Sequence, residues 1–380
     1  MYLPPTSRAP ISARLRRLAA CSLLLIGGFD LLGNEAFRVF APDTKNKQLM
    51  SITVNIADDG IDLAVEVPLE LGFAPNTVTA HPNGQNLIVG GTASQQAVAA
   101  TIEIMDKGGL RKTAQADVGQ PGGFISVDRT GQYFLSTHYR SGAVASHALG
   151  EDAAVGAVIT STKTPNLEAH CIITTPDNRF VYIPCVKNNN ALFQYAFDEK
   201  TGRLSALEPF DAKPPAMFGP RHVIYHPTLP IAYFSNEQQL GVSVYGIGDD
   251  GQLTARQHAT TIPRRKPFEQ GKRDLSASSI VISPNGERLF VALRDFNTDE
   301  DSVFTFRVEA DGRLSLLNRT RVGDVPVRLA VSPEGKYLVV SESGDTRLAV
   351  YNVLSGGGLK RTAAIDLPSG PRDLVVVAAD

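Results

Sequence analysis

The sequence predicts an all-β fold, a seven-bladed β-propeller of four-stranded antiparallel blades, on three observations. A hairpin pattern built on a turn recurs six times, the turns fall 47 to 57 residues apart, and the two chain ends carry complementary halves of a further repeat. Four antiparallel strands per repeat of about 40 to 50 residues is the signature of a propeller blade.

Taken in order, the N-terminal region divides in two. Arg14, Arg16 and Arg17 precede an apolar run, Leu18 to Ile26. That arrangement resembles a short signal sequence but lacks a small-x-small cleavage site, and it is far shorter than the roughly 20 residues of a transmembrane helix. Leu25-Ile-Gly-Gly28 also matches Ile88-Val-Gly-Gly91, a strand end inside a later repeat. Residues 1 to 20 are therefore read as a loose leader, and 21 to 380 as one propeller domain whose first strand is Leu23 to Gly28. A cytoplasmic location follows from this reading, with export as its alternative.

The hairpin turns come next, at positions 84, 131, 178, 229, 286 and 335. His81-Pro-Asn-Gly84, Ser283-Pro-Asn-Gly286 and Ser332-Pro-Glu-Gly335 are the clearest, each followed by an apolar run such as Leu289 to Val291 or Leu338 to Val340. Such Pro/Asn/Gly clusters between β-prone runs mark hairpins. Third strands follow, as at Ala191 to Phe197 and Val242 to Tyr245, and Asp250-Gly251 and Asp311-Gly312 turn the chain into fourth strands. At the C-terminus, Ser369-Gly-Pro-Arg-Asp-Leu-Val-Val-Val377 copies the start of an innermost strand without a second strand after it. The N-terminal segment lacks an innermost strand, so the C-terminal one completes its blade. Closing the ring in this way removes two open edges.

The 380 residues are 43% hydrophobic and 20% charged, with 33 Gly and 24 Pro, which suits a turn-rich globular protein with a large core. A net charge of -2 offers no basic surface for nucleic acid. Cys21, Cys171 and Cys185 have no metal-binding spacing, and buried thiols in a reducing compartment are the plain reading, with a Cys171–Cys185 disulfide as the alternative. No phosphate-binding loop, dinucleotide fingerprint or metal cage is present, so neither cofactor nor metal is expected.

Chemistry in a propeller gathers where the innermost strands begin. Six residues before each turn Pro, or its equivalent, stand Asn76, Gly123, His170, Arg221, Ser278, Val327 and Arg372, a largely polar ring where apolar strand starts are otherwise the rule. Ten residues after the turn Pro, at the same end of the neighbouring strand, come Glu237 and Arg294. Folding Gly219 to Glu237 about Leu229 sets Arg221 level with Glu237, since facing residues of an antiparallel pair lie about 5 Å apart. Each residue alone has a duller reading, as a hydrogen-bonded histidine or a plain ion pair. Their convergence on one mouth favours an anionic small-molecule substrate and acid–base work.

These residues bear a family likeness. His170-Cys-Ile-Ile-Thr-Thr-Pro-Asp-Asn-Arg179, Gly219-Pro-Arg-His-Val-Ile-Tyr-His-Pro227, Ser235-Asn-Glu237 and Gly370-Pro-Arg-Asp-Leu-Val-Val-Val377 resemble the lactonases of the seven-bladed propeller type, which include bacterial 6-phosphogluconolactonase and the fungal 3-carboxy-cis,cis-muconate lactonizing enzyme. The resemblance implies a catalytic set of His170, Arg221, Glu237 and Arg273; Arg294, Asn236, Arg372 and Asn76 are expected to bind substrate beside it. Its match at Arg273 is displaced by about two residues, and Ser279 stands where the family pattern has an acid. What it implies is metal-independent hydrolysis of a sugar-acid lactone, with Glu237 or His170 as base. Cycloisomerisation of a muconate-type diacid and a non-catalytic binding propeller are the alternatives. No nucleic acid or membrane partner is expected.

Overall fold

Seven antiparallel sheets surround a central channel in the computed structural model, which describes residues 36–379 apart from 59, 106–107, 121 and 263–273. The blades follow the chain. Blade 2 runs through strands Ala74–Ala80, Asn86–Ala93, Gln96–Ile104 and Leu110–Asp117, and blade 3 through Phe124–Val127, Tyr133–His138, Ala143–Leu149 and Val155–Lys163. Blade 5 has Pro220–Tyr225, Ile231–Asn236, Gly241–Ile247 and Leu253–Thr260. Blade 6 has Ser276–Ile282, Arg288–Arg294, Ser302–Val308 and Leu314–Arg321, and blade 7 has Pro326–Val331, Tyr337–Glu342, Arg347–Val353 and Leu359–Asp366.

Blade 4 departs from the pattern. Phe180–Cys185, Ala191–Asp198 and Arg203–Asp211 form a three-stranded sheet. The segment in the innermost position, residues 169–174, is tied on only by the bridges Ala169 to Cys185 and Thr174 to Val181. That irregular segment carries His170.

Burial explains the order of strands within a blade. The second strand is packed on both faces by neighbouring blades, and Ile231–Asn236 and Phe180–Cys185 are buried at every position. Such strands read as continuous apolar runs. Outermost strands meet solvent on one face and alternate, as in Leu359–Asp366. Adjacent blades are stitched by buried hydroxyls: Tyr182 donates to the Gly251 carbonyl at 2.8 Å and Tyr233 to that of Gly312 at 2.9 Å. Each spans from the second strand of one blade to the turn before the outermost strand of the next.

Blade 1 takes its innermost strand from the other end of the chain. Val375–Ala378 pairs with Ala36–Asp43, with Phe37 opposite Ala378 and Phe40 opposite Val375, and Gln48–Ala57 and Gly60–Val65 follow outward. The expected closure is therefore present. The first strand expected at Leu23 to Gly28 lies outside the described residues, as does the leader, and Ala36–Asp43 fills the second position of this blade. Among the described residues no helix is long and apolar enough to cross a membrane.

Candidate active site

The innermost strands begin with a bulge, and this local irregularity builds the site. In blade 5, Pro220 faces Asn236 but Val223 faces Phe234, so three steps on the inner strand match two on its partner. One extra residue in a strand breaks the alternation of side chains and re-aims them. Arg221 and His222, consecutive in sequence, consequently both line the channel cavity. The amide freed by the bulge is not left unpaired: His222 N donates to Ser235 Oγ at 3.2 Å, and Ser235 Oγ donates to the Ser278 carbonyl of blade 6 at 2.8 Å. Just before the bulge, Gly219 has φ +60°, and a Cβ there would run into the end of the Gln238 side chain, so a larger residue would have to displace that amide and hold a strained backbone. Blades 2, 6 and 7 carry the same one-residue shift, at Pro75/Thr77, Ala277/Ile280 and Pro326/Arg328.

The cavity at this mouth has a volume of about 800 Å³. On the wall made by blades 4 to 6, Glu237 Oε2 lies 3.0 Å from Arg221 Nε and 3.6 Å from Arg294 Nη2. One carboxylate thus links two guanidinium groups from neighbouring blades. Arg221 Nη1 donates to His222 Nε2 at 3.0 Å. The His222 ring sits 5.1 Å from that of His170, which in turn lies edge-on to Tyr139 at 5.5 Å. His170 Nδ1 is buried without a hydrogen-bond partner, while the His170 amide donates to the Pro184 carbonyl at 2.9 Å.

The electrostatics follow from burial beside cations. Desolvation, reinforced by the Arg221 charge, holds the His170 imidazole well below the ordinary histidine range. His222 is held low by desolvation, then by Arg221 and by His170 itself. Both rings are neutral at pH 7. Desolvation lowers Arg221 too, with Arg294 acting in the same sense and Glu237 opposing. A guanidinium nevertheless keeps its proton across any working pH.

The facing wall belongs to blade 7 and the closing segment. Arg328 Nε is 2.9 Å from Asp373 Oδ1, and its guanidinium stands 5.0 Å from the centre of the Phe124 ring. Asp373 Oδ2 accepts the Val78 amide at 2.9 Å. At the rim, Lys187 Nζ lies 3.4 Å from Glu168 and over the Tyr139 ring. Among the described residues no group of three or more His, Cys, Asp or Glu side chains could hold a metal ion.

Of the residues expected from sequence, His170, Arg221, Glu237, Arg294, Asn76 and Arg372 all line the cavity. Asn236 does not. It is buried behind the wall, its amide donating to Ser243 Oγ at 2.9 Å, because alternation along a regular second strand turns it away from Glu237. Arg273 lies outside the described residues. The Cys171–Cys185 disulfide is absent; both thiols are free and buried.

His222, Arg328 and Asp373 went unmarked, although each immediately follows a ring position that was counted: Arg221, Val327 and Arg372. Counting back from the turns marks one residue per strand, whereas a bulge presents two. The signal was the Pro two residues ahead, in Pro220-Arg-His222, Pro326-Val-Arg328 and Pro75-Asn-Thr77, since Pro inside a sheet is found at strand starts and bulges.

Comparison with known proteins agrees with this fold. A family profile described as "Lactonase, 7-bladed beta-propeller" matches residues 43–373. A protein named 6-phosphogluconolactonase from Cronobacter sakazakii is 27% identical over 303 residues, covering 79% of this chain and 86% of the relative. One of the same name from Klebsiella pneumoniae is 28% identical over 302 residues, covering 78% and 86%. Among solved structures, a periplasmic gluconolactonase of Pseudomonas aeruginosa superposes with a TM-score of 0.76 at 21% identity, over 90% of this chain and 99% of that one. A protein from Lactobacillus plantarum gives 0.76 at 20% identity, over 90% and 99%. These structural likenesses speak for the fold.

Proposed function

The chain belongs to the seven-bladed β-propeller lactonase family, and on that premise we propose that it hydrolyses an anionic sugar-acid lactone at this channel mouth. The observation that carries the reading is the charge balance of the cavity. Its lining holds five basic side chains, Lys187, Arg221, Arg294, Arg328 and Arg372, against two carboxylates, Glu237 and Asp373. With both imidazoles neutral, the cavity attracts a negatively charged ligand. The relatives named 6-phosphogluconolactonase support a lactone of that kind.

In this proposal His170 is the general base. Its ring is neutral at pH 7 and lines the cavity. It takes a proton from water as the water oxygen bonds to the lactone carbonyl carbon. The negative charge that develops on the carbonyl oxygen falls to Arg221, whose guanidinium is held by Glu237 on one side and His222 on the other. Collapse of the tetrahedral intermediate breaks the ring C–O bond, and the imidazolium returns its proton to the departing oxygen, leaving a hydroxy acid. Glu237, shared between Arg221 and Arg294, is a positioning residue in this scheme, and Arg294 takes the part that the family resemblance gave to Arg273. The free thiols Cys171 and Cys185 support a reducing, cytoplasmic setting.

The test is lactone hydrolysis above the spontaneous rate. Arg221→Ala should lower kcat about 10²-fold or more, as loss of an oxyanion donor does, and His170→Ala about 10²- to 10⁴-fold, as loss of a general base does. Near-wild-type turnover in both would move the chemistry away from this mouth.

A further inference from the structure

Resting on the lactone reading, we infer that Arg328 is the subsite for a phosphoryl group at the end of the substrate remote from the lactone carbonyl, and that it selects phosphorylated over unphosphorylated lactones. Arg328 comes from blade 7, across the cavity from the blades that supply His170, Arg221 and Glu237. The hydrolysis gives it no part, yet it is held with care. Asp373 takes its Nε at 2.9 Å, and Phe124 covers one face of the guanidinium. Asp373 is itself fixed, since Oδ2 accepts the Val78 amide and Oδ1 the Leu374 amide at 3.0 Å.

A guanidinium gripped along its Nε edge and one face keeps a set orientation, with the Nη end left for a ligand. Among the described residues Asp373 is its only ion-pair partner. The Arg328 side chain is 21% exposed, against 7% for Arg221 and 14% for Arg294, so of the three it is the most open to solute. Arginine held in this way recognises phosphate through paired N–H donors. Arg372, exposed on the same closing segment and also lining the cavity, adds a second positive charge, which suits a dianion. The spacing also fits a substrate gripped at both ends. The Phe124 ring under Arg328 lies 5.3 Å from the ring of His222, to which Arg221 donates. One phenyl and one imidazole therefore separate the two guanidinium stations.

The test has a binding arm and a kinetic arm. Calorimetry with gluconate 6-phosphate and with gluconate should show Arg328→Ala binding the phosphorylated acid about 10- to 100-fold more weakly, the weight of a charge-assisted hydrogen bond, with gluconate unchanged. Arg328→Lys keeps the charge beside Asp373 but not the paired donors. It should lose about 10-fold on the phosphorylated acid alone, and it serves if the alanine variant is poorly folded. In turnover of the two matching lactones, KM for the phosphorylated one should rise while kcat stays nearly constant. Equal weakening toward both acids, undiminished binding of the phosphorylated acid, or a shared fall in kcat would overturn the subsite. Should the protein hydrolyse neither lactone, the lactone reading fails, and the phosphate-dependent binding difference still decides for or against Arg328.

Discussion

An arginine and a glutamate facing each other at one end of a hairpin are ordinarily half in solvent, where the pair contributes about 0 to 1 kcal/mol. Arg221 and Glu237 are not in that setting: their side chains are 7% and 11% exposed, and Arg294 shares the same carboxylate. Removing one partner of a buried pair leaves an uncompensated charge, at a cost of about 3 to 5 kcal/mol. Glu237→Gln should therefore lower both unfolding free energy and activity, seen by denaturant melts beside turnover, whereas a loss of activity alone would restore Glu237 as the base. The pH dependence separates the same roles. Because burial and Arg221 hold His170 low, its imidazole should stay unprotonated as pH falls through 6.5, and the acid limb of kcat/KM should lie below that value. Replacing Arg221 by Ala removes a cation that disfavours the imidazolium, so in that variant the acid limb of the residual activity should move to a higher pH than in the wild type. An unmoved limb would assign it to another group.

At the scale of the strand, Ser235 carries a disproportionate share. Its hydroxyl satisfies the amide released by the bulge at His222 and reaches the next blade at Ser278. Ser235→Ala leaves a buried amide without an acceptor, which costs about 1 to 3 kcal/mol, and loosens the backbone that aims Arg221 and His222. Melting temperature and kcat should fall together, and a variant losing stability with unchanged kcat would confine Ser235 to a structural part. The same element shows what was legible beforehand. The hairpin, its turn at Leu229 and the meeting of Arg221 with Glu237 were all readable, because turn chemistry and period-2 alternation act locally. His222, Arg328 and Asp373 were not, because their inward direction depends on where the ladder slips by one residue. That slip is fixed by pairing with distant strands. Asn236 shows the converse: it was expected to bind substrate beside Glu237, and regular alternation put it on the opposite face.

For the whole ring, the count of blades and the joining of the two ends were readable because the end segments are complementary halves of one repeat. The identity of the first strand was not, since the apolar run Leu23 to Gly28 and the segment Ala36 to Phe40 carry the same local signal. The described blade 1 draws its path of four strands from residues 36–65 and 375–378, with the two-residue strand Leu69–Glu70 paired beside Gly60–Val65 on Gln48–Ala57. Deleting residues 370–380 should expose the edge of Ala36–Asp43 and yield insoluble protein, while deleting residues 1–33 should leave a soluble protein with a single cooperative melt. A soluble, cooperatively melting form of the first truncation would refute closure as the source of ring stability.

The pairing of Phe40 with Val375 and Phe37 with Ala378 also sets a timetable for synthesis. A chain leaving the ribosome presents Ala36–Asp43 first, yet the partner for its inner edge is among the last residues translated. Blades 2 to 7 can assemble as they emerge, at about 5 to 20 residues per second, while blade 1 waits for the end. A nascent chain stalled anywhere before residue 375 therefore carries an apolar strand with one open side, the sort of surface that holdase chaperones bind.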